Sequence, residues 1–325
     1  MFLIRSAKVS DLKGVVVLAR HLNSYNLPAD RAAVARLLRD SERAFKGQRL
    51  SDDHKKFLFV AEEVPGGRIV GTSLIIARHG TPRLPHISFR RKGRTLKLLV
   101  SRRGFTEIGG LAVLPRYRGH AEKIGKQLSY ARFAFMARRR GTFRPKVLVE
   151  YLPPLEPGTG KGNALWDAVG ARFTGLSYAQ ADRLSAVSKE FILALFPKKI
   201  SAGLLPKKAQ KVLGLPGKGA QKSIVMLKKI GFRSLGQIDP FDGGPHYGAD
   251  LARIALVLRT AQKRFKQSAI LGKKAAKAIV MTDKKGKVRA CVSPCLAAKG
   301  TVLLPRQTVR LLRLKPGDAV SLTPF

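Results

Sequence analysis

Cysteine is nearly absent from this 325-residue chain: only Cys291 and Cys295 occur, in RACVSPCLA. A lone C-x3-C has neither the spacing nor the companion ligands of a zinc site, and no metal is expected. The pair reads as two small buried apolar residues, with no disulfide in a reducing compartment. Long apolar runs are missing too. No uninterrupted stretch approaches the ~20 residues of a transmembrane helix, so membrane insertion is not expected. The opening MFLIRSAKVSDL lacks the apolar core and small-residue cleavage site of a signal peptide, which points to a cytoplasmic protein. Acidic residues are scarce: 20 Asp+Glu stand against 63 Lys+Arg, a formal net charge of +43. Such an excess draws polyanions, whether nucleic acid, an anionic membrane or a phosphorylated cofactor. The basic residues are spread along the chain, with dense runs over 83–103, 198–229 and 263–287. That dispersal weakens a dedicated nucleic-acid reading without removing it.

What is present is a globular composition. Apolar residues make up 45% of the chain and no tract is of low complexity, so one large or two modest domains are expected. Residues 2–6 read as a strand, 11–22 as a helix opened by Ser10-Asp11, and 31–45 as a second helix. FLFVAE and IVGTSLIIA, either side of Pro65-Gly66-Gly67, form a hairpin pattern, and alternating apolar residues within 83–103 suggest another. A strand over 106–114, a helix over 123–140 and a strand over 146–151 follow. Residues 153–162 form a Pro/Gly-rich loop, and 163–213 read as an all-helical or turn-rich interlude. Residues 218–230 are one more helix, closed by Gly231-Phe232 and followed by a strand-like SLGQIDPF. From about residue 269 the tail reads as short strands and turns.

One stretch carries chemistry in its pattern. LAVLPRYRGHAEKIGKQL, residues 111–128, is an apolar strand, an Arg-Gly turn and a helix in succession. A strand with partly unpaired backbone can hydrogen-bond an amide-rich pantetheine arm. The following turn and helix N-terminus then receive a pyrophosphate, aided by the helix dipole. Arg116, Arg118, Lys123 and Lys126 add positive charge. By pattern alone, a basic structural turn fits the stretch equally well. Glu107 precedes Leu111 by four residues, which on a regular strand puts both on one face. A carboxylate there can orient or deprotonate an amine; it equally suits a solvated charge at a strand end.

The order of elements around this turn, with L-x-V-x-P-x-Y-R-G closing the strand, resembles the GNAT-type acyl-CoA N-acyltransferases. Downstream, SYAQADRLSAVSKEFILALFPKKISAGLLPKKAQKVLG and MLKKIGFRSLGQIDPFDGGP narrow the resemblance to the arginine N-succinyltransferase family. The agreement runs from the first strand to about Arg259 and more weakly through the tail. It implies an α/β (α+β) fold with a mixed, mostly antiparallel sheet flanked by helices. The implied organisation is a GNAT-like domain over 1–259, with a helical insertion at about 162–213, and a small C-terminal β unit over 260–325. The implied chemistry is attack of an amine, arginine or a similar one, on succinyl-CoA or another acyl-CoA, without a metal. Strand N–H groups would stabilise the oxyanion of the tetrahedral intermediate.

On this resemblance Leu111, Val113, Arg116, Arg118, Gly119, Gly125 and Lys126 are the coenzyme contacts, and Glu107 and Glu150 match family glutamates. Asp239 and Asp242 supply negative charge that a cationic acceptor needs inside so basic a chain; they also suit the capping of their own turn. The chain departs from the family at three places. An ungapped alignment puts Gly217 where the family's proton-donating histidine stands. Tyr151-Leu152-Pro153 follows Glu150 in place of M-R-G, and Gly248 replaces the carboxylate after the G-G-P turn. His246, in FDGGPHYGAD, is the candidate substitute base, against the plainer reading of a surface-loop histidine. His21, His54, His79 and His86 form no constellation in the sequence. Two other functions stay open here. One is an N-acyltransferase with a different amine acceptor. The other is a catalytically silent descendant that binds nucleic acid or another polyanion. A homo- or hetero-oligomer is compatible with each.

Overall fold

The computed structural model describes every residue except 23–26, 155–163 and 273. Its elements begin with β1 (Phe2–Ser6), α1 (Leu12–Arg20), α2 (Arg31–Phe45), β2 (Lys56–Glu63) and β3 (Ile69–His79). The hairpin β4 (His86–Lys92) and β5 (Thr95–Ser101) leads to β6 (Phe105–Val113), α3 (Ile124–Arg138) and β7 (Lys146–Glu150). Next come α4 (Ala171–Thr174), α5 (Tyr178–Ser185), α6 (Glu190–Leu195), β8 (Lys199–Ser201), α7 (Lys207–Val212) and α8 (Gln221–Lys228). The chain continues through β9 (Arg233–Ile238), β10 (Pro245–Asp250), α9 (Ala255–Leu258), β11 (Ala261–Ser268), β12 (Ala276–Lys284) and β13 (Lys287–Ala297). It finishes with β14 (Thr301–Leu304), α10 (Arg306–Leu312) and β15 (Ala319–Pro324). The result is the expected mixed α/β fold, with almost all strand pairs antiparallel. No helix among the described residues is long and apolar enough to cross a membrane.

The chain forms two compact units. Unit 1 comprises Met1–Ala77, Ile108–Phe143 and Ala255–Phe325. β1 organises it: one edge pairs with β2 (Ile4↔Ala61) and the other with β13 (Ile4↔Ala290). α2 forms because Asp30 accepts the N–H of Ala33 at 2.7 Å, while Val34, Leu37, Leu38, Ser41 and Phe45 recur on one buried face. Phe45, Phe57, Phe59, Phe135 and Phe143 pack edge-on or tilted in the core; Phe57 and Phe135, for example, lie 5.0 Å apart. Each such fully buried ring contributes roughly 2–3 kcal/mol of transfer free energy. The strands after residue 260 close on themselves: β13 pairs with β12 and β14, β11 with β14 and β15, and β15 with β12. Closure leaves no open edge. Cys291 and Cys295 fill the interior as free, buried thiols, in keeping with their sequence setting. The tail also holds α10, a helix that the turn-rich sequence did not suggest; Thr308, Leu311 and Leu312 are its buried face.

Unit 2 comprises Arg78–Glu107 and Arg144–Ile254. Thr106 and Glu107 of β6 pair in parallel with β7, and the ladder continues antiparallel through β10, β9, β4, β5 and β8. The helices α4 to α7 lie where an insertion at 162–213 was expected, although residues 162 and 163 fall outside the described chain. The interlude is not all helical, because residues 199–201 form β8 against Thr95–Lys97 of β5. Ser177 and Gln180 make a reciprocal capping box that starts α5. Trp166 is fully buried, stacks on Phe241 at 4.6 Å and donates its indole N–H to the Leu176 carbonyl at 2.9 Å. Phe89, Leu96, Ile192 and Phe196 join the same core and fix the helices to the sheet.

Candidate active site

In unit 1 the motif that suggested a coenzyme cradle folds as a strand, a tight turn and a helix. β6 runs into a short 3-10 turn at Pro115–Tyr117, and α3 begins at Ile124. Gly119 and Lys123 both take left-handed backbone, at φ 81 and φ 54. No side chain caps the N-terminus of α3 and no acidic residue sits in its first turn. The first-turn N–H groups of a helix have no intrahelical acceptor, so this end suits an anion. Arg118 donates from Nε to the Val113 carbonyl at 3.1 Å, and Arg116 donates to the Tyr117 hydroxyl at 2.8 Å. Lys126 lies over the Phe325 ring at 4.1 Å. Leu111, Val113 and Gly125 are half-buried, while Arg116, Arg118 and Gly119 are exposed. The regular alternation expected from Glu107 to Leu111 does not hold. Gly110 has φ +55, a left-handed kink that breaks the two-residue period of the strand.

In unit 2 the strand register assembles the second feature. His246 of β10 stands directly opposite Glu150 of β7, and a bulge between Pro245 and Tyr247 interrupts the β9 side of the same strand. His246 Nε2 lies 3.7 Å from Glu150 Oε1. His86 Nδ1 lies 3.6 Å from the same oxygen, and His79 Nε2 lies 2.9 Å from His86 Nδ1. His79 Nδ1 contacts Glu107 Oε2 at 2.9 Å. The surface-loop reading of His246 is therefore corrected: it is a strand residue, fully buried. The sequence also showed no constellation for His79 and His86. The turn between β3 and β4 brings their rings together, and no spacing along the chain announces it.

Charge in this cluster is strained by design of its neighbours. Glu150 holds its proton well above the usual carboxylate range, first through burial and then through the charges of Glu107 and Asp239, against Lys189. Asp242 is raised well above its ordinary value by burial and by Asp239. Asp239 is raised by burial, although N–H donors from Phe241 and Asp242 oppose the shift. Asp182, on α5, rises to about 6 through burial and the charge of Asp239. His246 falls to about 3, chiefly because burial disfavours the imidazolium. His86 is lowered by burial and by its two histidine neighbours. Asp239 and Asp242 do cap their turn: Asp239 Oδ1 accepts from Phe241 at 2.7 Å, and Asp242 Oδ1 accepts from Gly244 at 2.7 Å. Carboxylates gathered in this way invite a cation.

Gly217 touches the segment that follows Glu150. Gly217 donates its N–H to the Leu152 carbonyl at 2.9 Å, and a Cβ added there would lie 2.9 Å from the Pro153 carbonyl. The backbone of Leu152-Pro153 thus fills the space beside Gly217.

Residues 2–256 match the family model described as arginine N-succinyltransferase beta subunit. This chain belongs to the arginine N-succinyltransferase family. Arginine N-succinyltransferases are acyl-CoA N-acyltransferases. The arginine N-succinyltransferase subunit beta of Pseudomonas aeruginosa is 28% identical over 341 residues, covering 99% of this chain and 98% of that one. The arginine N-succinyltransferase of Photorhabdus laumondii is 30% identical over 346 residues, with 99% and 98% covered. Among solved structures, subunit AI of the arginine/ornithine succinyltransferase from Pseudomonas aeruginosa superposes with a TM-score of 0.82 at 26% identity, covering 99% of this chain and 98% of that one. The succinyltransferase fold therefore extends through the closed strands of the tail.

Proposed function

We propose that the chain transfers a succinyl group from succinyl-CoA to the α-amine of L-arginine or a closely similar cationic amino acid, in the cytoplasm. The observation that carries this reading is the group of Glu107, Glu150, Asp182, Asp239 and Asp242 in unit 2 of a chain with a net charge of +43. A cationic acceptor is repelled by most of this surface and attracted to these carboxylates. The Pseudomonas relatives carry subunit designations, and we extend to this chain the role of a subunit in a larger assembly.

The chemistry has two parts. The first-turn N–H groups of α3 and the exposed Arg118 hold the pyrophosphate, and the backbone of β6 holds the pantetheine arm and the thioester. The acceptor loses a proton before it can attack. Glu150 takes that proton, because its raised proton affinity brings it closer to the amine than an ordinary carboxylate is. Its side chain is 27% exposed, enough to be reached. His246, lowered to about 3 by burial and so neutral at physiological pH, is too weak a base for this step in the free enzyme. The amine nitrogen then bonds to the thioester carbon, the C–S bond breaks as the tetrahedral intermediate collapses, and the coenzyme leaves as the thiol. A thiol-release assay with succinyl-CoA and acetyl-CoA against arginine, ornithine and lysine tests the reading. Release is expected with succinyl-CoA and arginine or ornithine. Silence with every pair would overturn it, and release with an uncharged amine alone would overturn the role of the carboxylates.

A further inference from the structure

Acyl transfer gives no work to the imidazoles of half-buried His79 and buried His86, which meet in unit 2. We propose that His79, His86 and Glu150 form a binding site for a divalent cation of the zinc type, with Glu107 as the group that orients His79. The inference goes beyond the acyltransferase reading and stands without it.

The first support is the donor set. Two imidazoles and one carboxylate are the ligands of an open zinc site, with a fourth position left to water or another ligand. Imidazole favours zinc and its first-row neighbours over magnesium or calcium. The second support is spacing. A tetrahedral ion with bonds of about 2.05 Å separates its ligand atoms by about 3.3 Å. His79 Nε2 to His86 Nδ1 is 2.9 Å and His86 Nδ1 to Glu150 Oε1 is 3.6 Å, on either side of that value. All three ligand atoms lie within 4.8 Å of one another.

The third support lies behind the ligands. A metal-bound histidine usually donates its other ring N–H to a carboxylate, which fixes the tautomer and raises ligand basicity. His79 has this arrangement: Nδ1 faces Glu107 Oε2 at 2.9 Å, which leaves the Nε2 lone pair aimed at the cluster. The fourth is independent of the triad. His246 is fully buried, both of its ring nitrogens lack a hydrogen-bond partner, and Nε2 points at the same Glu150 oxygen from 3.7 Å. Buried polar atoms left unpartnered are a mark of an ion or water that the polypeptide alone does not supply.

The test is metal binding by the whole chain, stripped with a chelator and then dialysed against zinc or cobalt(II). One ion per chain is expected, and the cobalt form is expected to show the intense visible bands of a four-coordinate site. His86→Ala and Glu150→Gln should weaken zinc binding by at least about a hundredfold, and Glu107→Gln by about tenfold. His54→Ala, at the exposed His54–Asp40 pair, should leave it unchanged. No binding by the wild type overturns the proposal, as does affinity that survives His86→Ala and Glu150→Gln. Should those variants fail to fold by circular dichroism, Glu107→Gln decides, since unchanged affinity there also overturns it. Ion binding and proton acceptance by Glu150 are alternatives, so thiol release is assayed on chelator-treated protein and the two readings fail separately.

Discussion

Replacing Asp182 by Asn turns the crowding of carboxylates in unit 2 into a measurable free energy. Asp182 is raised from 3.8 to about 6, first by burial and then by Asp239, with Arg183 opposing. An aspartate whose folded-state value lies above its unfolded one binds its proton more tightly in the folded chain. Its protonation therefore favours folding at low pH, and that advantage is lost as pH climbs from about 4 through about 6. Taken whole, the shift corresponds to about 3 kcal/mol. Asp182 is only partly buried, and screening by water reduces the effect to about 1 kcal/mol. Asparagine keeps the shape and discards the charge. Asp182→Asn is thus expected to match the wild type near pH 4 and to exceed its stability by about 1 kcal/mol near pH 8. Urea unfolding followed by tryptophan fluorescence reads this directly, because Trp166 is the single tryptophan and sits in the core of unit 2. Saturating arginine should shrink the difference by placing positive charge beside the cluster. A difference that does not change with pH, or a wild type that is the more stable at high pH, would refute the argument.

Two further substitutions test the phosphate-binding turn and the packing of the turn that holds Asp242. A Cβ on Gly125 meets only Val113 Cγ2 at 3.8 Å, so Gly125→Asp fits; its charge should stabilise α3 by about 0.5 kcal/mol and raise the KM for acyl-CoA at least about tenfold. A higher Tm with an unchanged KM would remove the phosphate site from that turn. In Gly244→Ala the new Cβ would lie 2.0 Å from the Tyr151 carbonyl and 2.9 Å from Asp242 Oδ1. Loss of about 3 kcal/mol is expected in urea unfolding, and a loss below about 0.5 kcal/mol would show that the turn yields more easily than its packing indicates.

Local signals in the sequence located most elements, and they failed where distant segments decide the structure. α2 was legible to the residue, because Asp30 caps it and its apolar spacing is helical. The β2–β3 hairpin was legible because Pro65-Gly66-Gly67 separates two apolar runs. α3 was legible at its start and shorter by two residues at its end. β10 was missed, since PHYGAD carries Pro and Gly and becomes a strand only by pairing with β7. That miss hid the candidate site, because the pairing is what buries His246 and sets it opposite Glu150. His79 and His86 were invisible for the same reason: the turn between β3 and β4 brings them together, and Glu107 and Glu150 arrive from other strands. The strand–turn–helix motif after β6 was legible, but not the left-handed kink at Gly110, which no spacing rule contains.

The way unit 1 is divided along the chain has a consequence for its birth. β1 leaves the ribosome ahead of β2, which covers one edge of it soon afterwards. The other edge waits for β13, which emerges only after the whole of unit 2 has been made. Throughout that interval an apolar strand stands with its backbone groups unmatched, a template for a wrong neighbour. The late strands both close on themselves and seal β1, so their synthesis ends the period in which the nascent protein most needs a chaperone.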